Sequence, residues 1–187
     1  GYIGLPVYHE LAGKFGEWLV LDANANVIYK TPMHTGRDSL QPVVIPISDT
    51  SAVALQRYAG DLPARILRSQ TDDGGRSWQQ PVKLELPNPN AAVAALALDN
   101  KHWLMVFNNH DDLRNDLTLS ISADQGKSWR IVYRFEYKPS KAGSHEVRYS
   151  YPSFVQGLDG NFHLAYTDNR QKLQHIRFNR TWLEQQL

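Results

Sequence analysis

The sequence predicts an all-β chain built from the blades of a β-propeller, and three observations carry that prediction. First, Thr71-Asp72-Asp73-Gly74-Gly75-Arg76-Ser77-Trp78 returns as Ser122-Ala123-Asp124-Gln125-Gly126-Lys127-Ser128-Trp129. The spacing is about fifty residues, and a period of about 40 to 50 with strand texture is that of propeller blades. Second, Trp182, in the degenerate Phe178-Asn179-Arg180-Thr181-Trp182, lies about as far beyond Trp129 as Trp129 lies beyond Trp78. Third, short apolar and β-branched runs alternate with clusters of Asn, Asp, Gly and Pro, the texture of antiparallel strands joined by tight turns.

Taken in order, the first unit covers approximately residues 1–38. Leu5-Pro6-Val7-Tyr8 and Glu17-Trp18-Leu19-Val20-Leu21-Asp22 read as strands, Ala23-Asn24-Ala25-Asn26 as a turn, and Val27-Ile28-Tyr29-Lys30 as another strand, with no recognisable Asp turn. The second unit, 39–86, starts at Gln41-Pro42 and alternates through Val43, Ile45 and Ile47. It turns at Ser48-Asp49-Thr50, runs through Val53-Ala54-Leu55 to Arg57, reaches the first Asp turn and ends with Val82-Lys83-Leu84-Glu85-Leu86. The third, 87–133, starts at Pro87-Asn88-Pro89-Asn90, passes Leu96 and Leu98 and turns at Asp99-Asn100-Lys101. It continues as Trp103-Leu104-Met105-Val106-Phe107 into Asn108-Asn109-His110-Asp111-Asp112-Leu113-Arg114. The fourth, 147–187, starts at Tyr149-Ser150-Tyr151-Pro152, turns at Asp159-Gly160-Asn161 and runs Phe162-His163-Leu164-Ala165-Tyr166 into Thr167-Asp168-Asn169-Arg170. Residues 134–146 are expected to form a long polar loop on the rim. Helix is expected only as a turn at Trp182 to Leu187.

The two Asp turns read as structural hairpins. Glycine supplies a positive φ, Asp and Ser/Thr side chains bond nearby amides, and Trp starts the next strand with a large apolar face. Thr71, Asp73, Gly75 and Trp78, with Ser122, Asp124, Gly126 and Trp129, are assigned that role. Alternating Asp and Gly superficially suggests calcium, but each turn is too short and lacks a distal Glu. The Trp residues 78, 103, 129 and 182 read as blade core.

Composition narrows the function classes. At roughly fifty residues per blade, the 187 residues hold three to four units, fewer than a closed propeller usually has. The chain is expected to be a fragment, or to complete its ring with another polypeptide. Lys+Arg number 20 and Asp+Glu 19, a net charge of +1, so no global field calls for nucleic acid or an anionic membrane. There is no cysteine, hence no disulfide framework, thiolate metal site or readable redox compartment. No apolar run approaches a membrane span, and Gly1-Tyr2-Ile3-Gly4 lacks the charged head and apolar core of a signal peptide. Of the seven histidines none pair at ligand spacing, and His102, His163 and His175 fall in strand-like runs, so no metal is expected.

Overlaying the units locates a candidate site. Each starts with a polar residue and proline and, about sixteen to eighteen residues later, leaves its second strand into a charged loop. Two short strands joined by one turn bring the chain back to its starting edge. Gln41 and Arg57, Asn90 and Asn108, and Tyr149 and Asp168 therefore share one rim, and the Asp turns lie away from it. His110, in the loop from Asn108 to Arg114, stands as a substrate contact.

The residues that carry a family resemblance are the two Asp turns, Tyr149-Ser150 followed by Asp159-Gly160, and Tyr166-Thr167. Over essentially the whole chain they resemble the sialidase (neuraminidase) superfamily, specifically the bacterial sialidase-like group with Asp-box (BNR) repeats. The resemblance implies a six-bladed β-propeller of which this chain is the C-terminal part, partnered by N-terminal blades present as further sequence or as a separate chain. It implies an exo-acting glycoside hydrolase that removes a terminal sialic acid or related acidic sugar from glycoconjugates, with no cofactor. In such enzymes two arginines of a triad end second strands ahead of Asp boxes, as Arg57 and Arg114 do, and a Tyr-Ser starts a later blade, as Tyr149 does.

The chemistry accounts for those residue types. Guanidinium forks hold the sugar carboxylate bidentately with a charge that does not titrate. That same carboxylate would repel an acidic nucleophile, and sialidases use Tyr instead. A phenol has a pKa of about 10, so in the family a Glu takes its proton. Here Gln41 stands where that Glu is expected, and an amide cannot act as a base. Another carboxylate such as Glu10 or Glu146 serves, the chemistry differs, or the protein is a catalytically inactive propeller that binds carbohydrate or protein through its rim. Tyr151 lies two residues beyond Tyr149 on the same strand face, and either tyrosine alternatively packs between blades. Gln41, Asn90, Asn108 and Tyr151 complete the expected substrate-binding set. The compartment is not readable from these residues; a bacterial glycosidase is expected in the periplasm or outside the cell.

Overall fold

In the computed structural model, which describes residues 2–11, 13–33, 36–99, 101–139 and 147–187, fourteen strands form four antiparallel sheets and one short helix follows. Sheet one is β1 (Ile3–His9), β2 (Phe15–Leu21) and β3 (Val27–Pro32). Sheet two is β4 (Ser39–Pro46), β5 (Ala52–Tyr58), β6 (Arg65–Thr71) and β7 (Val82–Pro87). Sheet three is β8 (Ala94–Ala97), β9 (Trp103–Asn108), β10 (Asp116–Ser122) and β11 (Arg130–Tyr137). Sheet four is β12 (Tyr149–Gln156), β13 (Phe162–Asp168) and β14 (Lys172–Phe178), followed by α1 (Arg180–Glu184). Every sheet is a meander whose strands lie side by side in chain order.

The sheets stack as an arc of blades because their strands are apolar on both faces. β9 is buried at every residue, and its side chains divide with the strand period of two. Trp103, Met105 and Phe107 pack with Ile45, Val53, Leu55 and Ile66 of sheet two. Leu104 and Val106 pack with Phe154, Phe162, Leu164 and Phe178 of sheet four. One strand thus serves two cores. β4 packs on β1 and β2, β8 on β4, and β12 on β8 and β9, which makes β4, β8 and β12 the inner strands of their blades.

Among the described residues sheet one has no equivalent inner strand. β3 leads into β4 as β7 leads into β8, so β1, β2 and β3 correspond to the second, third and fourth strands of the other blades. The end of β1 at His9 therefore lies on the same rim as the end of β5. The turn after β2 takes the place of an Asp turn, and it does carry an anchoring aspartate. Asp22 Oδ1 accepts the amides of Asn24 and Asn26 at 2.9 and 2.8 Å.

The two Asp boxes show why their residues repeat. Thr71 Oγ1 accepts the Gly75 amide at 2.9 Å and donates to Asp73 Oδ1 at 2.9 Å; Asp73 in turn accepts the amide and hydroxyl of Ser77 at 3.0 and 2.6 Å. Ser122, Asp124, Gly126 and Ser128 repeat those four bonds at 2.9, 2.8, 2.9 and 2.6 Å. The boxes also join blades. Trp18 Nε1 donates to the Gly74 carbonyl at 3.2 Å, and Arg68 Nε donates to the Gln125 carbonyl at 3.2 Å. In both cases the third strand of one blade donates to the same position of the next blade's box.

Two predictions follow from this packing. A Cβ on Gly75 would meet the Trp18 ring at 2.2 Å, and Gly75 has φ +88°; Gly74, at φ +76°, has nothing closer than 3.7 Å. Left-handed backbone costs a substituted residue about 1–2 kcal/mol, and overpacking adds about 1–3 kcal/mol. Gly75→Ala should therefore destabilise the fold by about 2–5 kcal/mol and Gly74→Ala by only the smaller part, measured by urea unfolding. The second concerns acid. Hydrogen bonds from Ser77 hold the Asp73 carboxyl down at about 2; burial pushes Asp124 up, but bonds from Ser128, Ser122 and Lys127 outweigh it and hold that carboxyl at about 2 as well. Both values lie below the unfolded value of about 3.9, so the stabilisation is complete above about pH 4 and is lost as pH falls toward 2. The double variant Asp73→Asn, Asp124→Asn should lose much of that pH dependence in thermal unfolding.

Several expectations change. β11 extends to Tyr137, so residues 134–137 are strand and not loop, because Tyr133, Phe135 and Tyr137 prolong the alternation. Ser140–Glu146 and Asn100 lie outside the described residues. His163 and His175, read as unpaired, meet across β13 and β14, with Nδ1 and Nε2 3.1 Å apart and rings within 9° of parallel. Cross-strand register sets that pairing, which spacing along the chain does not show. Asn179 caps α1 by accepting the Trp182 amide at 2.8 Å. Among the described residues no helix is long and apolar enough to cross a membrane.

Candidate functional site

The site lies on the rim where inner strands start and second strands end. Among the residues there on left-handed backbone are Gln41 at φ +47°, Asn90 at +51° and Tyr151 at +54°. That conformation is uncommon outside glycine and carries strain. Gln41 falls in the register break of β4 between Leu40 and Val43, and Tyr151 in the break of β12 between Ser150 and Ser153. In each the next residue is proline, which has no N–H to give to the ladder. A bulge at these points re-aims one side chain out of the strand's alternation.

These side chains meet two arginines. Arg57, near the end of β5, donates from Nε to Asn90 Oδ1 at 2.6 Å and from Nη1 to Gln41 Oε1 at 2.9 Å. Arg114, beyond β9, donates from Nη2 to the Asn90 carbonyl and from Nη1 to Ser150 Oγ at 3.4 Å. The Tyr151 side chain lies close enough to Arg114 to favour its charged form. Gln41, Arg57, Asn90, Arg114 and Ser150 therefore form one hydrogen-bonded row, with Tyr151 next to it. Both guanidiniums are half-buried, and every acceptor named is neutral.

The electrostatics follow from that arrangement. Burial lowers the pKa of Arg57, with Tyr151, Glu10 and Tyr8 acting in the opposite direction. Burial also lowers that of Arg114, and the neighbouring charges of Arg57 and Arg148 lower it further. Arginine stays charged in proteins, so the row holds two mutually repelling cations short of counter-charge. An anion with two acceptor oxygens is the group such a pair accommodates. Glu10 and Tyr8, at the end of β1, join the rim because sheet one begins at its second strand.

The two tyrosines separate. Tyr149 is 1% exposed and Tyr151 50%. Burial, then the Glu136 and Asp168 carboxylates, push the Tyr149 hydroxyl up to about 12. Its ring meets Tyr166 edge to face at 6.0 Å, and Tyr166 donates to Glu136 at 2.5 Å. Tyr149 is buried against Tyr166 between blades, whereas Tyr151 is open on the rim. Asn108 is also fully buried; its Nδ2 donates to the Tyr149 carbonyl at 3.1 Å, so it ties β9 to β12 and does not face solvent. His110 accepts the amides of Asp112 and Leu113 on Nδ1, at 3.0 and 2.9 Å, and thereby shapes its own loop. The alternative base Glu146 lies outside the described residues.

Arg148, Tyr8 and Ser150 were not singled out as site residues from sequence. Arg148 carries no motif; its signal is only its place directly before a blade's inner strand. The Tyr8 signal is the run Leu5-Pro6-Val7-Tyr8, which ends just ahead of Glu10 and corresponds to a second strand.

Comparison with known proteins bears on the fold. The profile of the BNR repeat-like domain family matches residues 1–164. No curated protein matches the chain. Among solved structures it is similar to the NanB sialidase of Streptococcus pneumoniae, with 13% identity, a TM-score of 0.71, and coverage of 96% of this chain and 29% of that one. It is similar to the intramolecular trans-sialidase of Ruminococcus gnavus, in complex with oseltamivir carboxylate, with 17% identity, a TM-score of 0.70, and coverage of 97% and 41%. A leech intramolecular trans-sialidase, complexed with 2,7-anhydro-Neu5Ac, gives 15% identity, a TM-score of 0.71, and coverage of 100% and 30%. The chain spans well under half the length of each. The likeness is one of fold: four blades of a sialidase-type propeller, a partial ring.

Proposed function

This chain belongs to the BNR repeat-like domain family, and on that premise we propose that its rim binds the carboxylate of a terminal acidic sugar of the sialic acid class, with Tyr151 as the nucleophile that releases it. One observation carries the reading: two half-buried guanidiniums, Arg57 and Arg114, whose hydrogen-bond acceptors among the described residues are all neutral, beside the half-exposed phenol of Tyr151. The guanidiniums fork the sugar carboxylate and so orient the anomeric carbon that bears it. Tyr151 Oη attacks that carbon, its proton passes to a carboxylate, and the bond to the leaving oxygen breaks. Water then releases the sugar from Tyr151, as in other retaining mechanisms. Glu10 is the carboxylate assigned to the Tyr151 proton, since the Gln41 amide cannot take it. The proton for the leaving oxygen comes from an acid outside these residues.

A second reading rests on Gln41. Its Oε1 is bonded to Arg57 at 2.9 Å, where a carboxylate would neutralise the arginine and serve as base. A rim with an amide in that place retains its positive charge and binds without cleaving. The binding claim common to both readings is tested by titrating full-length protein with a sialic acid glycoside and with its carboxyl methyl ester. Selective binding of the acid is expected; equal binding of the ester, or no binding of the acid, would overturn it. Turnover of a fluorogenic sialoside then separates hydrolase from binder.

A further inference from the structure

We infer that Asn90 is a positioning residue: it ties Arg57 and Arg114 into a single clamp and makes no contact with the sugar. The inference rests on the function proposed above. Asn90 accepts from Arg57 with its side-chain Oδ1 at 2.6 Å and from Arg114 with its backbone carbonyl. It is the one residue that bonds both guanidiniums among the described residues. Those guanidiniums repel one another, as the effect of Arg57 on Arg114 shows, and without a neutral acceptor on each they would separate.

The local chain holds Asn90 in this role. Asn88, fully buried, bonds both the amide and the carbonyl of Ala91, at 3.0 and 2.9 Å. The Asn90 amide donates to the Asn88 carbonyl at 2.8 Å. This closed turn sets Asn90 at φ +51°, a conformation asparagine tolerates better than most residues. Its side-chain acceptor is taken by Arg57 and is not offered to a ligand. Arg57 keeps Nη2 unclaimed among the described residues, since its bonds to Asn90 and Gln41 use Nε and Nη1. The residue type is specified as well: alanine would release Arg57, and aspartate would satisfy it with a charge and leave less for the sugar.

The test uses full-length protein and three forms of position 90. Asn90→Gly keeps the left-handed backbone and the carbonyl but loses Oδ1; Asn90→Asp keeps the acceptor and adds charge. Titration with the sialic acid glycoside should show about tenfold weaker binding for Asn90→Gly, the loss of one charge-assisted hydrogen bond, and weaker binding still for Asn90→Asp. The acid-over-ester preference should shrink in both, with thermal stability near wild type. Equal loss of affinity for acid and ester would mean that Asn90 touches the neutral part of the sugar, and would overturn the inference. A readout without ligand separates it from the functional reading. In arginine side-chain NMR, the Arg57 Nε–H should be protected in the wild type and in Asn90→Asp and should lose protection in Asn90→Gly. If that signal is unchanged in Asn90→Gly, Asn90 does not position Arg57. If it changes while the wild type binds no acidic sugar, the geometry stands and the functional reading falls.

Discussion

Replacing Tyr151 with Phe should abolish turnover of a sialoside, by about a thousandfold or more in kcat, the effect of removing the proposed nucleophile from a unit that acts together. Tyr149→Phe, two residues away, should leave kcat within a fewfold. The contrast follows from exposure: Tyr151 stands half-exposed on the rim beside Arg114, whereas Tyr149 is sealed between β9, β11 and β13 with its hydroxyl pushed up to about 12 by burial and the Glu136 and Asp168 carboxylates. Tyr149→Phe should instead show in stability, because it removes a buried hydroxyl beside Glu136, at a cost of about 1–2 kcal/mol. Steady-state kinetics and thermal unfolding of both variants check this. The reverse pattern, with Tyr149→Phe inactive and Tyr151→Phe active, would restore the role first read from the Tyr149-Ser150 motif.

Arg114→Ala should lower kcat/KM for an acidic sugar by about 2–5 kcal/mol, which is about thirtyfold to several thousandfold. The guanidinium supplies a charge-assisted fork to the carboxylate, and its loss also leaves the Asn90 carbonyl and Ser150 Oγ without their donor. Arg114→Lys should recover little, since an ammonium cannot reproduce the planar fork. The effect should be small for the methyl ester, because the arginine acts on the carboxylate. Kinetics on the acid and the ester measure both parts, and an equal loss on the two substrates would show that Arg114 serves the fold instead.

The Asp boxes were legible in the sequence because their bonds are local. Thr71, Asp73, Gly75 and Ser77 complete their network within seven positions, so the residue types must recur wherever the turn recurs. The joining of blades through the carbonyls of Gly74 and Gln125 was not legible, since a backbone acceptor leaves no mark on residue type. Arg57 and Arg114 could be placed on one rim from their positions at or beyond the ends of second strands. The tyrosines could not be separated by alternation, which puts Tyr149 and Tyr151 on one face; the bulge between Ser150 and Ser153 and the left-handed φ of Tyr151 break that alternation. A signal was nonetheless present. Tyr151-Pro152 precedes Asp159 by the same interval at which Gln41-Pro42 precedes Asp49, which aligns Tyr151 with Gln41 and leaves Tyr149 opposite buried Ser39. The burial of Asn108 was not legible because β9 ends beneath β12, a contact between blades that spacing along one blade does not show. Glu10 and Tyr8 depend on sheet one starting at its second strand, which a count of equal units conceals.

The central claim is that Arg57 and Arg114 form one carboxylate clamp facing Tyr151. A crystal structure of the full-length protein with a sialic acid glycoside bound tests it most directly. The account predicts the sugar carboxylate within hydrogen-bonding distance of both guanidiniums, with the anomeric carbon facing the Tyr151 hydroxyl and Asn90 still bonded to both arginines. A sugar bound elsewhere, or bound on this rim with its carboxylate touching neither arginine, would contradict it.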